Sequence, residues 1–184
     1  MSQQEIDITR AFVRHWVMAH NLCPFAAREY ERNRIRYVEL NADVMYERLA
    51  FECRHLDTQK ETATTLLILT AGADDFFIFL DLVDGAQQWL ETAGYEGVYQ
   101  LASFHPDYLF ADSHASRHKE DAADYSNRAP LPLLHLLRES DIEAALLHYP
   151  HPERIPERNS AFLRERGARW CREHLDALRP ENGA

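Results

Sequence analysis

The run TTLLILT, residues 64–70, places the strongest constraint on how this chain can fold. A strand that faces water on one side alternates apolar and polar residues, and the centre of this run does not alternate. We therefore expect a strand that is buried on both faces, inside a sheet that helices cover on both sides.

Strands and helices are predicted to alternate along the first 104 residues. Apolar residues at helical spacing, aromatic or β-branched runs, and capping residues such as Asp74 or Asp75 mark the elements. Asn21 is expected to end the first helix in a left-handed conformation. The predicted elements are a helix near 8–19, a strand at 34–40, a helix at 44–56, a strand at 64–70, a helix at 75–90 and a strand at 98–104.

The elements after residue 104 are less regular. Residues 105–132 are polar with weak periodicity, and PLLHLLRE at 132–139 fits either a helical turn or a short fourth strand. DIEAALLHY at 141–149 predicts a helix, and a single last helix is expected from Pro156 onward. The alternation predicts an α/β fold with a small mixed or parallel sheet of three to four strands and helices packed around it. A ferredoxin-like α+β arrangement is the alternative, because three strands do not fix the strand order.

Length and composition predict one globular domain, residues 1–184. The chain is 46% hydrophobic and 27% charged, and its net charge of −10 would repel nucleic acid, so we expect no nucleic-acid partner.

No apolar run approaches the roughly 20 residues of a membrane span, and the start MSQQEIDITRAF lacks the layout of a secretory signal. Three dispersed cysteines fit a reducing compartment. We therefore expect a cytoplasmic protein with no membrane partner.

The residues that follow the third predicted strand form the first candidate site. In an open α/β sheet, ligands bind beyond the carboxyl ends of parallel strands. His105 and Asp107 lie directly after this strand. A carboxylate orients an imidazole and raises its basicity, so this pair is a candidate for general acid–base catalysis. The alternative is that His105 caps the end of the strand by bonding to the backbone.

The stretch NRAPLPLLHLLRE, residues 127–139, supplies further candidate groups. Arg128 and Arg138 carry planar guanidinium groups that suit a carboxylate or phosphate, and Asn127 adds an amide. His135 lies inside an apolar run, where it is either a core residue bonded to the backbone or a second acid–base group. Ion pairing of the arginines with acidic neighbours is the common alternative to ligand binding.

Cys23, in the turn NLCPF at 21–25, is a candidate nucleophile. It follows the end of the first predicted helix and precedes Pro24. A reactive thiolate needs a nearby cation or histidine to lower its pKa, and His20 is close in sequence. Packing of an unreactive thiol in the interior is the alternative.

A metal site is an alternative use of the histidines. His114 and His118 are four residues apart, a spacing that places two imidazole rings on one face of a helix. With His105 and Asp107 they would form a set of nitrogen and oxygen ligands. The surrounding SHASRHKED is typical of a solvated loop, and no HExxH motif occurs.

Four motifs together carry a resemblance to a known family. LCPF at 22–25, FHPDYLF at 104–110, NRAPLPLLHLLRE at 127–139 and IPERN at 155–159 resemble the motifs of the DUF1415 family, an uncharacterised bacterial family of unknown function. The resemblance covers nearly the whole chain. It implies a bacterial protein with a single domain, and it supplies no reaction, cofactor or catalytic residue.

These observations favour a small-molecule enzyme that acts on an anionic substrate by histidine acid–base chemistry. His105 and His135 would exchange protons, and Asp107 would orient a ring. Arg128 and Arg138 would hold the anion. A metal-dependent hydrolase is one alternative, and a non-catalytic ligand-binding or protein-interaction domain is another. The sequence indicates no particular cofactor or oligomeric state.

Overall fold

The computed structural model describes residues 3–113 and 120–179, which fold around a four-stranded sheet. β1 and β2 are parallel, whereas β4 is antiparallel to both β2 and β3. β1, β2 and β3 therefore end at one edge of the sheet, called the carboxyl edge here, and β4 begins there. The predicted α/β fold with a mixed sheet is confirmed. The strands are β1 (Ile35–Asn41), β2 (Thr64–Ala71), β3 (Tyr99–Phe104) and β4 (Leu133–Arg138), in the spatial order β1-β2-β4-β3.

Seven α-helices surround the sheet in the described part of the chain. The first continues directly as a π-helix over Val13–Met18, and a 3₁₀ helix at Ala122–Ser126 lies in the connection from β3 to β4. No helix in the described ranges is both long and apolar enough to cross a membrane. The helices are α1 (Gln3–Phe12), α2 (Ala26–Glu31), α3 (Met45–Thr58), α4 (Phe76–Thr92), α5 (Glu139–Leu146), α6 (Ile155–Arg166) and α7 (Ala168–Asp176).

The sheet separates two apolar layers. The α3–α4 layer contains Phe79 and packs on Leu67 and Leu69 of β2. The α1–α7 layer contains Trp16 and residues of α6 and α7, and packs on Leu66 and Ile68 of the same strand. β2 is buried along Thr64–Leu69 because successive side chains enter opposite layers. The burial predicted from the run TTLLILT is confirmed.

Local signals in the sequence position several of these elements correctly. The Asp75 carboxylate caps α4 by accepting the backbone N–H groups of Phe77 and Ile78, at 2.9 and 3.1 Å. Asn21 has φ = 52°, the left-handed conformation predicted beyond the first helix. PLLHLLRE forms a strand rather than a helical turn, because its backbone bonds to β2 on one side and β3 on the other.

The expectation of a single last helix is wrong. α6 ends at Arg166, and α7 begins at Ala168. Gly167 between them has φ = 85° and ψ = 152°, a conformation that only glycine adopts readily. The break lets both helices contribute to the α1–α7 layer, through Leu163 and Leu175.

Glu52 of α3 is a buried carboxylate with an arginine partner. Its side chain is 0% exposed and accepts from Arg36 of β1 at 2.8 and 3.3 Å. The Thr65 hydroxyl donates to it at 3.3 Å, and Arg48 lies 3.8 Å away. A buried carboxylate is tolerated only when it is paired, so the link between α3 and the sheet depends on Arg36.

We expect Arg36→Ala to lower the free energy of unfolding by about 3 kcal/mol, because the substitution leaves Glu52 buried with one distant cation. Urea titration at pH 7 measures the change. Arg169→Ala is the control, since this arginine pairs with Glu173 on the exposed surface of α7. It should leave the stability unchanged. Equal effects of the two substitutions would contradict this role for the Arg36–Glu52 pair.

Candidate functional site

His105 lies directly beyond β3 and is 0% exposed. Its ring packs against Phe76 and Phe79 of α4, with centroid distances of 5.3 and 5.0 Å. Nδ1 accepts the backbone N–H of Asp107 at 3.0 Å, so Nε2 carries the hydrogen and donates to the Ala73 carbonyl at 3.0 Å. Burial lowers the pKa of the ring and keeps it neutral. Both nitrogens therefore hold backbone groups together at the carboxyl edge.

Buried carboxylates fix the connection from β3 to β4. Asp124 is 0% exposed and accepts from the Phe110 backbone N–H at 3.1 Å and the Ser113 hydroxyl at 2.7 Å. Asp121 accepts two hydrogen bonds from Arg164 of α6, at 2.9 and 2.7 Å. The described parts of this polar segment are thus tied to the fold by specific bonds.

Arg128 of this connection is held by several contacts. Its Nε donates to the Tyr108 carbonyl at 3.0 Å, and Nη1 donates to Glu120 at 3.1 Å. The guanidinium carbon lies 4.5 Å from the centroid of the Tyr125 ring, and the side chain is 13% exposed. Within the described residues, Nη2 makes no hydrogen bond. Both N–H groups of Nη2 are therefore without a partner in the described part of the chain, on a guanidinium that is held in a fixed position.

Three arginines line a cleft of about 340 Å³, which we call the arginine cleft. Arg128 comes from the β3–β4 connection, Arg172 from α7 and Arg179 from the turn after α7. Arg172 bonds to the second oxygen of Glu120, and Arg179 donates to the Pro130 carbonyl at 2.8 Å. The guanidinium groups are thus anchored at the wall, with further N–H donors left over.

Carboxylates balance part of this positive charge. Burial alone would raise the pKa of Glu120, but hydrogen bonds from Arg172 and Arg128 outweigh it and hold the pKa below its usual value. Asp107 and Asp176 also line the cleft, and both are exposed. The cleft is therefore a mixed polar surface in which arginine side chains supply the donors.

The other predicted histidine, His135, lies in the sheet. Its Nε2 is 2.7 Å from the Thr64 hydroxyl, which donates its own hydrogen to the Leu136 carbonyl at 2.6 Å. Nε2 must therefore be the donor of the first bond. Burial lowers the pKa of His135 to about 4, so the ring is neutral at pH 7.

Arg138 and Asn127 are occupied by bonds within the fold. Arg138 ends β4 at the edge opposite to the carboxyl edge, where it donates to Asp141 at 2.5 Å and to the Leu56 carbonyl at 2.6 Å. The Asn127 side-chain amide donates to the Ser103 carbonyl at 3.0 Å, and the Asn127 backbone carbonyl accepts the backbone N–H of His105 at 3.1 Å.

Cys23 lies where the motifs LCPF and IPERN meet. Asn159 donates to the Leu22 carbonyl at 2.7 Å, and Arg158 donates to the Asn21 carbonyl. Burial raises the pKa of the Cys23 thiol, and the opposing effects of nearby backbone N–H groups and Arg158 are smaller. The thiol is therefore protonated at neutral pH, and the contact joins the end of the first helix to α6.

The structure brings only some of the predicted site residues together. Arg128 and Asp107 line the arginine cleft, but His105, His135 and Cys23 are not among the described residues that line it. The His105 ring contacts Phe79 in the α3–α4 layer, whereas the Arg128 guanidinium stacks on Tyr125 in the α1–α7 layer. The catalytic roles expected for His105, Asp107, His135 and Cys23 remain predictions.

Metal ligands are not assembled in the described part of the chain, where no group of three His, Cys, Asp or Glu side chains is placed to hold an ion. His114 and His118 lie outside the described residues, so the predicted metal set that includes them stays a prediction.

The sequence did not predict three residues of the cleft, which are Arg172, Arg179 and Glu120. Arg172, Asp176 and Arg179 recur at helical spacing, but charges at this spacing most often form a solvated helix face. Only the fold shows that this face of α7 lies against Arg128 and Pro130.

The model of the family described as "Protein of unknown function (DUF1415)" matches residues 4–173. The family expected from the four motifs is confirmed. Searches of curated proteins and of solved structures gave no match.

Stability should fall as the pH is lowered from 6.5 toward 4. The pKa values of His20, His105 and His135 lie below the ordinary value, for which burial is the main cause in each. The unfolded chain therefore binds more protons in this window, and each histidine's contribution is complete above pH 6.5 and lost as the pH falls toward its folded pKa.

For His135 alone the loss at pH 5 is about 2 kcal/mol relative to pH 7.5. We expect His135→Gln to remove this part of the pH dependence in urea titrations, because glutamine does not titrate. The exposed His148 provides the control substitution, His148→Gln, which should keep the wild-type profile. Parallel profiles for wild type and His135→Gln would refute the assignment.

Asn159→Ala should make Cys23, which is already partly exposed, more accessible to a thiol reagent. The substitution leaves the Leu22 carbonyl without its donor, which costs about 1–2 kcal/mol and raises the rate of local opening about 5- to 30-fold. Thiol labelling followed by mass spectrometry measures this rate. Cys53 and Cys171 are 0% exposed and should react only on global unfolding. Arg154→Ala, at an exposed position before α6, should leave the labelling of Cys23 unchanged. An unchanged rate in Asn159→Ala would show that the bond does not shield the thiol.

Proposed function

Because the chain belongs to the family described as "Protein of unknown function (DUF1415)", we propose a function from its own geometry: the protein binds a small anionic molecule in the arginine cleft. The observation that carries the proposal is the position of Arg128. This side chain is fixed by Tyr108, Glu120 and Tyr125, it lines the cleft, and its Nη2 has no hydrogen-bond partner among the described residues. A donor held in place before binding loses little entropy when a ligand arrives.

The class of ligand follows from the charges of the cleft. Arginine forks bind carboxylate and phosphate through paired, charge-assisted hydrogen bonds. Arg172 and Arg179 add donors from α7 and the turn after it, while Asp107 and Asp176 would repel a polyanion. A volume of about 340 Å³ suits a compact molecule. We therefore propose a ligand that carries one carboxylate or phosphate group.

The proposal is binding, and it includes no acid–base reaction. Both ring nitrogens of His105 are bonded to backbone groups, and His135 donates to Thr64 inside the sheet. We propose structural roles for these two histidines. The alternative of a metal-dependent hydrolase gains no support from the described side chains.

Titration calorimetry at low salt with inorganic phosphate and with malonate tests the proposal. We expect saturable binding to the wild type, and a loss of about 10- to 100-fold in affinity in Arg128→Gln, because a charge-assisted hydrogen bond is removed. Arg179→Gln, at an exposed position, provides a second variant with little risk to folding.

The control is Arg169→Gln, which removes the same charge from α7 outside the cleft. This variant should bind like the wild type. The absence of saturable binding to the wild type, or an equal loss in Arg169→Gln, would overturn the proposal.

A further inference from the structure

The first turn of α4 exposes large apolar side chains. Phe77 is 74% exposed and Ile78 is 54% exposed, and Leu109 of the β3–β4 connection is 46% exposed. The Phe76 ring lies 6.0 Å from that of Phe77 and 5.4 Å from that of Tyr108, which precedes Leu109 in the chain. We call these five residues the α4 surface. Large apolar side chains exposed close together make this surface a candidate for binding a partner.

The stretch of sequence that carries the α4 surface contains acidic residues but neither lysine nor arginine. No lysine or arginine occurs between Lys60 and Arg117, whereas acidic residues recur throughout that stretch. Asp74, Asp75 and Asp81 flank the exposed apolar pair of α4, and all three are exposed. A partner that covers Phe77 and Ile78 must therefore also meet carboxylates.

The α4 surface is rigid before any partner binds. The Asp75 cap fixes the first turn of α4, and Phe76 packs against the buried His105 ring at 5.3 Å. Tyr108 is held from the other side, because its carbonyl accepts from Arg128 at 3.0 Å. A preformed apolar surface loses little conformational entropy on binding.

We propose that the α4 surface binds an amphipathic helical segment of another protein, with apolar residues on one face and lysine or arginine beside them. The apolar face would cover Phe77, Ile78 and Leu109, and the cations would meet the flanking aspartates. Nucleic acid and anionic lipid carry the same sign of charge as this surface and are repelled. A two-fold dimer through this surface would oppose identical aspartates, which disfavours a second copy.

The test measures fluorescence polarisation with a labelled helical peptide of about 18 residues, leucine on one face and lysine on the other. Two comparison peptides carry glutamate in place of lysine, or the same composition in an order without an apolar face. We expect a dissociation constant on the order of 10 μM for the basic amphipathic peptide and at least tenfold weaker binding of both others.

The protein variant Phe77→Ser/Ile78→Ser should bind the basic peptide at least tenfold more weakly than the wild type. Leu147→Ser is the matched control, because Leu147 is 82% exposed at the end of α5 and should not contribute. Asp74→Asn/Asp81→Asn should weaken binding several-fold and reduce its salt dependence. Circular dichroism verifies that each variant is folded.

Three results would overturn the proposal. Equal affinity of the wild type and Phe77→Ser/Ile78→Ser would place the peptide elsewhere. Equal binding of the peptide without an apolar face would reduce the effect to charge alone. A wild-type dimer in light scattering that becomes monomeric in Phe77→Ser/Ile78→Ser would make a second copy the occupant.

Discussion

Because β4 lies between β2 and β3 and is antiparallel to both, the carboxyl edge must hold the whole connection from β3 to β4. β3 ends at this edge and β4 begins there, so the connection between them stays at the same edge. This connection is long and polar, and its described parts contain one short 3₁₀ helix. Irregular backbone near a core needs hydrogen-bond partners for its N–H and C=O groups. The side chains at the edge supply them.

That requirement explains why this segment resembles an active site in the sequence. His105 bonds to two backbone groups, Asp124 accepts from a backbone N–H and a hydroxyl, and Asn127 donates to the end of β3. Polar residues that satisfy an irregular backbone are the same types that catalyse reactions, since both tasks need fixed donors and acceptors. Arg128 differs, because it lines the cleft and its Nη2 makes no hydrogen bond within the described part of the chain.

The sequence predicts the elements whose signals are local. The apolar run of β2, the Asp75 cap and the left-handed Asn21 each depend on neighbouring residues and are found where expected. The strand β4 could not be distinguished from a helical turn, because its pairing partners lie far along the chain. The arginine cleft could not be predicted for the same reason: Arg172 approaches Arg128 only after α6 and α7 separate at Gly167.

The net charge of −10 includes several buried carboxylates, so it differs from the charge that the surface presents. Glu52, Asp121 and Asp124 are at most 5% exposed. The first two are paired with Arg36 and Arg164, and Asp124 accepts hydrogen bonds. Arg164 of α6 and Arg172 of α7 are thus paired with acidic residues of the β3–β4 connection. Residues 61–116, which include α4, contain no lysine or arginine, and Asp74, Asp75 and Asp81 of this segment are exposed. The arginine cleft and the α4 surface therefore present different chemistry to the proposed ligand and to the proposed partner.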